Sequence, residues 1–357
     1  MEVPVGKTCL VGEITLEGPC GKGFALQVNG EILAPAKGSS QWTGSLQWFN
    51  IKGVNGFTLG GTGSFNGNGA AWWTKAEDDD SPNNNLFADQ KTSGTKPTAV
   101  RFYGSTQVTV TGIEIKNSPQ AHLKFNGCTG VNVNNVKITS PGTSPNTDGI
   151  HLQNSKSVTI TGTTIACGDD CVSIQTGCSD VNIQKLTCGP GHGVSIGGLG
   201  KGGTQACVSN IKVSDSTFTN TLTGGRIKTW QGGKGSANGV TFSNIKCVGV
   251  ETPIMIDQFY CDGGGCHNQT GAVDVTDVTF QGFTGTYTTQ ALQLACSESM
   301  PCSGITLSAI DLKPQGTKVV APLCEDSYGT TAGAITPAIS GCLKAGTVAK
   351  KNANACT

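Results

Sequence analysis

Asp148, Asp170 and His192 are evenly spaced along the chain, each directly before a short alternating segment. The words around them are Asn146-Thr147-Asp148-Gly149, Cys167-Gly168-Asp169-Asp170-Cys171 and Gly191-His192-Gly193, so Asp169 adjoins the middle member. Further on comes Gly225-Arg226-Ile227-Lys228. If Ile227 turns to a core, strand alternation puts Arg226 and Lys228 together on the outer face. Arginine is rare here, Arg101 and Arg226 being the only two, so its position is informative. Carboxylates crowded together repel, and at least one keeps its proton above its ordinary pKa. A protonated carboxyl beside ionised ones is the requirement for general acid and base catalysis. Two neighbouring cations favour an anionic ligand. A carboxyl-bearing sugar cleaved by acid and base carboxylates satisfies both conditions.

Such a cluster requires elements that bring distant residues into one column. The chain supplies a repeated word of polar-apolar alternation, as in Gln107-Val108-Thr109-Val110, Gly130-Val131-Asn132-Val133, Ser157-Val158-Thr159-Ile160 and Asp180-Val181-Asn182-Ile183. After Val108 its anchors recur at Val131, Val158, Val181, Ile211, Val240, Val278 and Ile305. The anchor before Val108 is Phe57, in Gly56-Phe57-Thr58-Leu59. That gap is far longer than the others and reads as two coils with one anchor hidden. Second strands precede many of these words, among them Gly149-Ile150-His151-Leu152, Cys171-Val172-Ser173-Ile174 and Gly193-Val194-Ser195-Ile196. Two or three strands per coil, recurring at a period of this length, mark a solenoid. Hairpin turns of a β-sandwich would not give so long a period. The expected fold is all-β, a single-domain right-handed parallel β-helix over residues 1–357, with coils about 4.8 Å apart. Residues 1–55 are read as irregular N-terminal coils, and 315–357, where the repeat fades, as a C-terminal cap pinned by Cys324, Cys342 and Cys356. The stretch 76–97 lacks the pattern and reads as a surface loop.

Composition agrees. Glycine supplies 52 of 357 residues, about twice the usual rate near 7%. Charged residues supply only 13%, which excludes a disordered polyelectrolyte. The 24 basic and 24 acidic residues cancel, so no global field gathers nucleic acid or an anionic membrane, and no apolar stretch is long enough to span one. Sixteen cysteines without paired zinc-type knuckles point to disulfides in an oxidising compartment. The sole N-glycosylation sequon, Asn268-Gln269-Thr270, agrees with secretion.

Asn-Thr-Asp-Gly, Gly-Asp-Asp, Gly-His-Gly and Arg-Ile-Lys, in this order and spacing, resemble the four signatures of the polygalacturonases (family 28 glycoside hydrolases). The resemblance spans roughly residues 9–345, and the run 226–233 is similar to the plant branch. It implies that Asp169 is the general acid, that Asp148 and Asp170 hold and activate the attacking water, and that His192 tunes the acid. Arg226 and Lys228 would bind a galacturonate carboxylate, with Asn146 and Tyr260 as further substrate contacts. The implied reaction is hydrolysis of α-1,4 bonds in pectin with inversion, which needs carboxyls about 6.5–9.5 Å apart. Neither a metal nor another cofactor is implied. The implied setting is a secreted, monomeric cell-wall protein acting on polygalacturonate. In the family a signal peptide and a first coil precede the point where this chain begins, so Cys9 is expected to lack its usual partner. Cys171 is expected to pair with Cys188 beside the site.

Two other functions fit the same residues. One is an inactive β-helix that binds pectin at a wall or pollen surface. The other is a calcium-dependent pectate lyase. Asp78-Asp79-Asp80 lacks spaced calcium ligands and reads as a solvated loop. Trp72-Trp73 could stack on sugars or pack against a coil.

Overall fold

Alternating β-branched and small polar residues favour extended backbone, with one side turned inward and the other outward. Lys156–Thr161 behaves in this way: Val158 and Ile160 are fully buried, and Thr159 between them lies on the outer side. The computed structural model describes residues 1–21, 23–73, 96–261, 266–316, 320–346 and 356. Its strands form two parallel sheets, of 19 and 11 strands among the described residues. Short connections carry the chain from one sheet to the other once per coil, which gives a parallel β-helix.

The anchor words stack directly. Val108 pairs in register with Val131, which pairs with Val158, Val181, Ile211, Val240 and Val278 in succession. Next to them runs an inward column of Leu26, Leu59, Val110, Val133, Ile160, Ile183, Val213, Phe242, Phe280 and Leu307. Each member is buried, so the core is continuous along the axis. Rings join the stacking where columns contain them, with Phe102 on Phe125 at 5.3 Å and Phe242 on Phe280 at 5.5 Å. Asparagines close several corners in the left-handed region, such as Asn135 (φ 52°) and Asn154 (φ 48°), a conformation that Asn tolerates better than most residues.

Two expectations need correction. The long gap between Phe57 and Val108 is one coil, because Thr58 pairs directly with Thr109 and no hidden anchor intervenes. Unpatterned chain inserted into a coil lengthens the sequence interval without adding a rung. The repeat also continues past Gln315: Leu323–Glu325 and Ser327–Thr336 extend both sheets by one more coil. Gly329 and Ala332 take ladder positions there, and small residues conceal the apolar alternation. At the other end, Ala25–Val28 is a regular rung that pairs with the Thr58–Gly60 strand.

Disulfides join Cys171 to Cys188, as expected, and also Cys261 to Cys266, Cys296 to Cys302 and Cys324 to Cys342. Cys356 reaches back to Cys207. Cys9, Cys20, Cys128, Cys167, Cys178 and Cys247 are thiols. Residues 76–95, including the Asp78-Asp79-Asp80 run, lie outside the described residues. The tryptophan pair packs against the coils: Trp72 meets Trp42 edge-on at 5.8 Å, and the Trp73 indole donates to the Ser118 carbonyl at 3.1 Å. Among the described residues no helix is long and apolar enough to cross a membrane.

Candidate active site

The smaller sheet carries the acidic words. Ile150 pairs with Val172, and Val172 with Val194, so one coil separates each from the next and Asp148, Asp170 and His192 fall on successive rungs. The main chain holds the turns between them. Gly149 N donates to the Asp170 carbonyl at 2.9 Å, and His192 N donates to the Asp169 carbonyl at 2.8 Å. Thr147, fully buried, donates to the Ser144 carbonyl at 2.9 Å and accepts the Gly168 N–H at 3.0 Å, which ties the Asp148 turn to the Asp169 turn. Glycine is required at two of these positions. A Cβ on Gly168 would fall 1.9 Å from the Ser144 carbonyl oxygen, and one on Gly193 (φ 89°) would fall 2.1 Å from that of Thr223.

The three carboxylates face three different environments. Asp170 is 2% exposed. Its Oδ1 accepts from the Ser195 hydroxyl and the Arg226 guanidinium, both at 2.7 Å, and its Oδ2 accepts from Lys228 Nζ at 3.1 Å. Burial pushes its pKa upward, but Lys228 and Arg226 outweigh burial and hold it below the ordinary carboxylate value. Asp169 accepts the Asp170 N–H at 2.7 Å, and the same oxygen lies 3.0 Å from His192 Nδ1. Asp148 has its Oδ2 2.9 Å from His151 Nδ1. Burial first, and then the charges of Asp169 and Asp170, push its pKa well above the ordinary carboxylate value. Asp170 is thus held ionised, whereas Asp148 is made reluctant to ionise.

Arg226 and Lys228 do flank Ile227 on the outer side, but both are only 7% exposed and both bind Asp170. A buried carboxylate without counter-charge would cost several kcal/mol, and these two cations supply it. Lys228 Nζ also stands 5.1 Å over the Tyr260 ring, which meets Trp230 edge-on at 5.4 Å. Gly198 leaves room for that pair, since a Cβ there would lie 2.6 Å from the Trp230 indole nitrogen. Asn146 is exposed, with φ 58°, two residues before Asp148. The register thus joins Asp148, Asp169, Asp170, His192, Arg226, Lys228 and Tyr260 in one outward patch, with Asn146 on the adjoining turn.

Several site residues escaped the sequence reading. His151 lies between the buried Ile150 and Leu152, so alternation alone turns it outward beside Asp148. Ser195, between Val194 and Ile196, also accepts from Arg226 Nε at 2.9 Å and so bridges the cation to Asp170. His122, fully buried, has its Nδ1 2.9 Å from the Asp148 carbonyl; burial lowers its pKa to about 4. Lys124 is the register partner of His151. Ligand atoms of Asp169, Asp170 and His192 lie within 4.8 Å of one another, close enough to share a cation. Both Asp170 oxygens already face Arg226 or Lys228, so a metal ion there would meet two fixed positive charges.

Fold and site together define a parallel β-helix with an acid–base cluster on its outer surface. The chain belongs to glycosyl hydrolases family 28, whose sequence pattern matches residues 1–326. It is 41% identical over 340 residues to a polygalacturonase of Juniperus ashei, and 40% identical over 338 residues to one of Cryptomeria japonica. Each alignment covers 94% of this chain and 65% of the relative, so the chain spans about two thirds of their length. An endo-xylogalacturonan hydrolase from Aspergillus tubingensis superposes with a TM-score of 0.77 at 26% identity, covering 94% of this chain and 91% of the other.

Proposed function

We propose that this protein is a polygalacturonase, hydrolysing α-1,4 bonds of de-esterified pectin with inversion. The observation that carries the reading is the registered cluster in which Asp148, Asp169 and Asp170 stand together yet face different partners. Asp169, beside His192, gives its proton to the glycosidic oxygen as the bond to the anomeric carbon breaks. Asp148 and Asp170 hold a water whose oxygen attacks that carbon from the opposite face and whose proton passes to the carboxylate pair. Arg226 and Lys228, seated on Asp170, turn their remaining charge toward the galacturonate carboxylate, with Tyr260 and Asn146 at its borders. The polygalacturonase relatives support the substrate class. The disulfides suit an oxidising compartment, and we assign the protein, as a monomer, to the extracellular cell wall.

Incubation with polygalacturonate tests this. Reducing ends should accumulate with no rise in ultraviolet absorbance from unsaturated sugars and no sensitivity to EDTA. Unsaturated, EDTA-sensitive products would identify a lyase, and binding without products a pectin-binding protein. The time course of product lengths then distinguishes internal from terminal cleavage.

A further inference from the structure

Each carboxylate of the cluster has its own hydrogen-bonding set. Asp170 has Ser195, Arg226 and Lys228, and Asp169 has His192 and a main-chain N–H. Among the described residues, His151 is the one group hydrogen-bonded to the Asp148 carboxylate. Ionisation of Asp148 is also opposed, because its side chain is only 16% exposed and faces the charges of Asp169 and Asp170. We propose that His151 is a positioning residue for Asp148, donating Nδ1–H to Oδ2 so that the carboxylate stays oriented and ionisable for activating water. The proposal rests on the hydrolase reading above and deepens it.

The geometry sets the imidazole's state. His151 follows Asp148 by three residues on the same turn and strand, with its ring 18% exposed. On the preceding coil its register partner is Lys124, with Arg101 one rung beyond. On the following coil its partner is the buried Ser173, and the turn before it carries Asp169 and Asp170. Lys228 acts on it from farther along the axis. Burial and Lys124 lower its pKa to about 3, against the opposing pull of Asp170 and Asp169. A neutral ring carries one N–H, and the hydrogen bond made by one nitrogen selects the tautomer. A carboxylate 2.9 Å from Nδ1 selects Nδ1–H and leaves Nε2 as a bare acceptor. Lys124 assists twice, opposing a second proton on the ring and favouring the ionised form of Asp148.

Two measurements on the full chain test this. Nitrogen-15 histidine spectra should show His151 as the Nδ1–H tautomer, uncharged down to about pH 5, well below the ordinary imidazole pKa. Asp148→Ala should release the ring toward Nε2–H. In kinetics on polygalacturonate, His151→Phe should move the acid limb of the kcat profile upward by about one pH unit, from losing a hydrogen bond to a charged group. KM should change less than about twofold, and His151→Asn, whose amide can donate at the same place, should return the limb toward wild type. An Nε2–H ring in the wild type, an unmoved limb in a folded His151→Phe, or failure of Asn to restore it would overturn the proposal. A wild type that releases no sugar while keeping Nδ1–H would overturn the hydrolase reading alone.

Discussion

The two sheets of one coil use the same alternation to different ends. On the larger sheet the outward column Thr109, Asn132, Thr159, Asn182, Lys212, Thr241, Thr279 and Thr306 repeats small or solvated residues. On the smaller sheet the outward column is Arg101, Lys124, His151, Ser173, Ser195, Arg226 and Met255, nearly every rung different. Ser173, Ser195 and Arg226 in it are as buried as core residues. The inward columns of both are apolar. Stacking therefore needs only the inner residues, and the outer face of one sheet is free to hold groups that would be costly alone and are tolerable together.

The largest effects expected are on turnover. Asp148→Asn, Asp169→Asn and Asp170→Asn should each lower kcat by about 10²–10⁴-fold while circular dichroism stays native. Near wild-type kcat in Asp169→Asn would remove it as the general acid. Stability should then divide these variants. Asp170→Asn leaves Arg226 and Lys228 buried without their anion and should cost about 3–5 kcal/mol in urea unfolding. A loss similar to that of a surface change would mean that the cations find other partners.

Ile160→Ala, in the inward column of the larger sheet, should cost about 2–5 kcal/mol with kcat unchanged, separating scaffold from site. A fall in kcat at full folding would show the two sheets to be coupled. A smaller effect has the opposite sign: Asp148→Asn should raise Tm at neutral pH. Because the pKa of Asp148 is raised in the fold, its ionised form costs stability above that value, and the cost disappears as pH falls below the ordinary carboxylate pKa. The gain in Tm should therefore shrink on acidification. The lowered pKa of Asp170 works the other way: its stabilisation is present above the ordinary carboxylate pKa and is lost as pH falls through the folded value. A Tm difference independent of pH would contradict both signs. Smallest of all, Thr159→Ala on the outer face of the larger sheet should change stability by no more than about 0.5 kcal/mol. A larger loss would show that its outward ladder is more than solvated filler.

Much of this was legible in the chain. Val158-Thr159-Ile160 and its relatives disclosed strand type, facing and stacking, because alternation acts through nearest neighbours. The even spacing of Asp148, Asp170 and His192 aligned them correctly, since no insertion interrupts the coils between them. The coil before Val108 is not legible in the spacing, because inserted residues leave no periodic trace. The coil after Gln315 is hidden in the sequence, because Gly329 and Ala332 fill rungs without apolar contrast.

Local sequence therefore determined the repeat, the inward columns and which rungs carry acids, since each depends on residues within a coil of one another. Tertiary structure alone decided the partners: Arg226 and Lys228 on Asp170, Ser195 between them, His151 on Asp148 and His192 on Asp169. Those contacts depend on side-chain reach and burial across stacked rungs, and charge states follow from hydrogen-bonding distances that spacing along a chain does not encode.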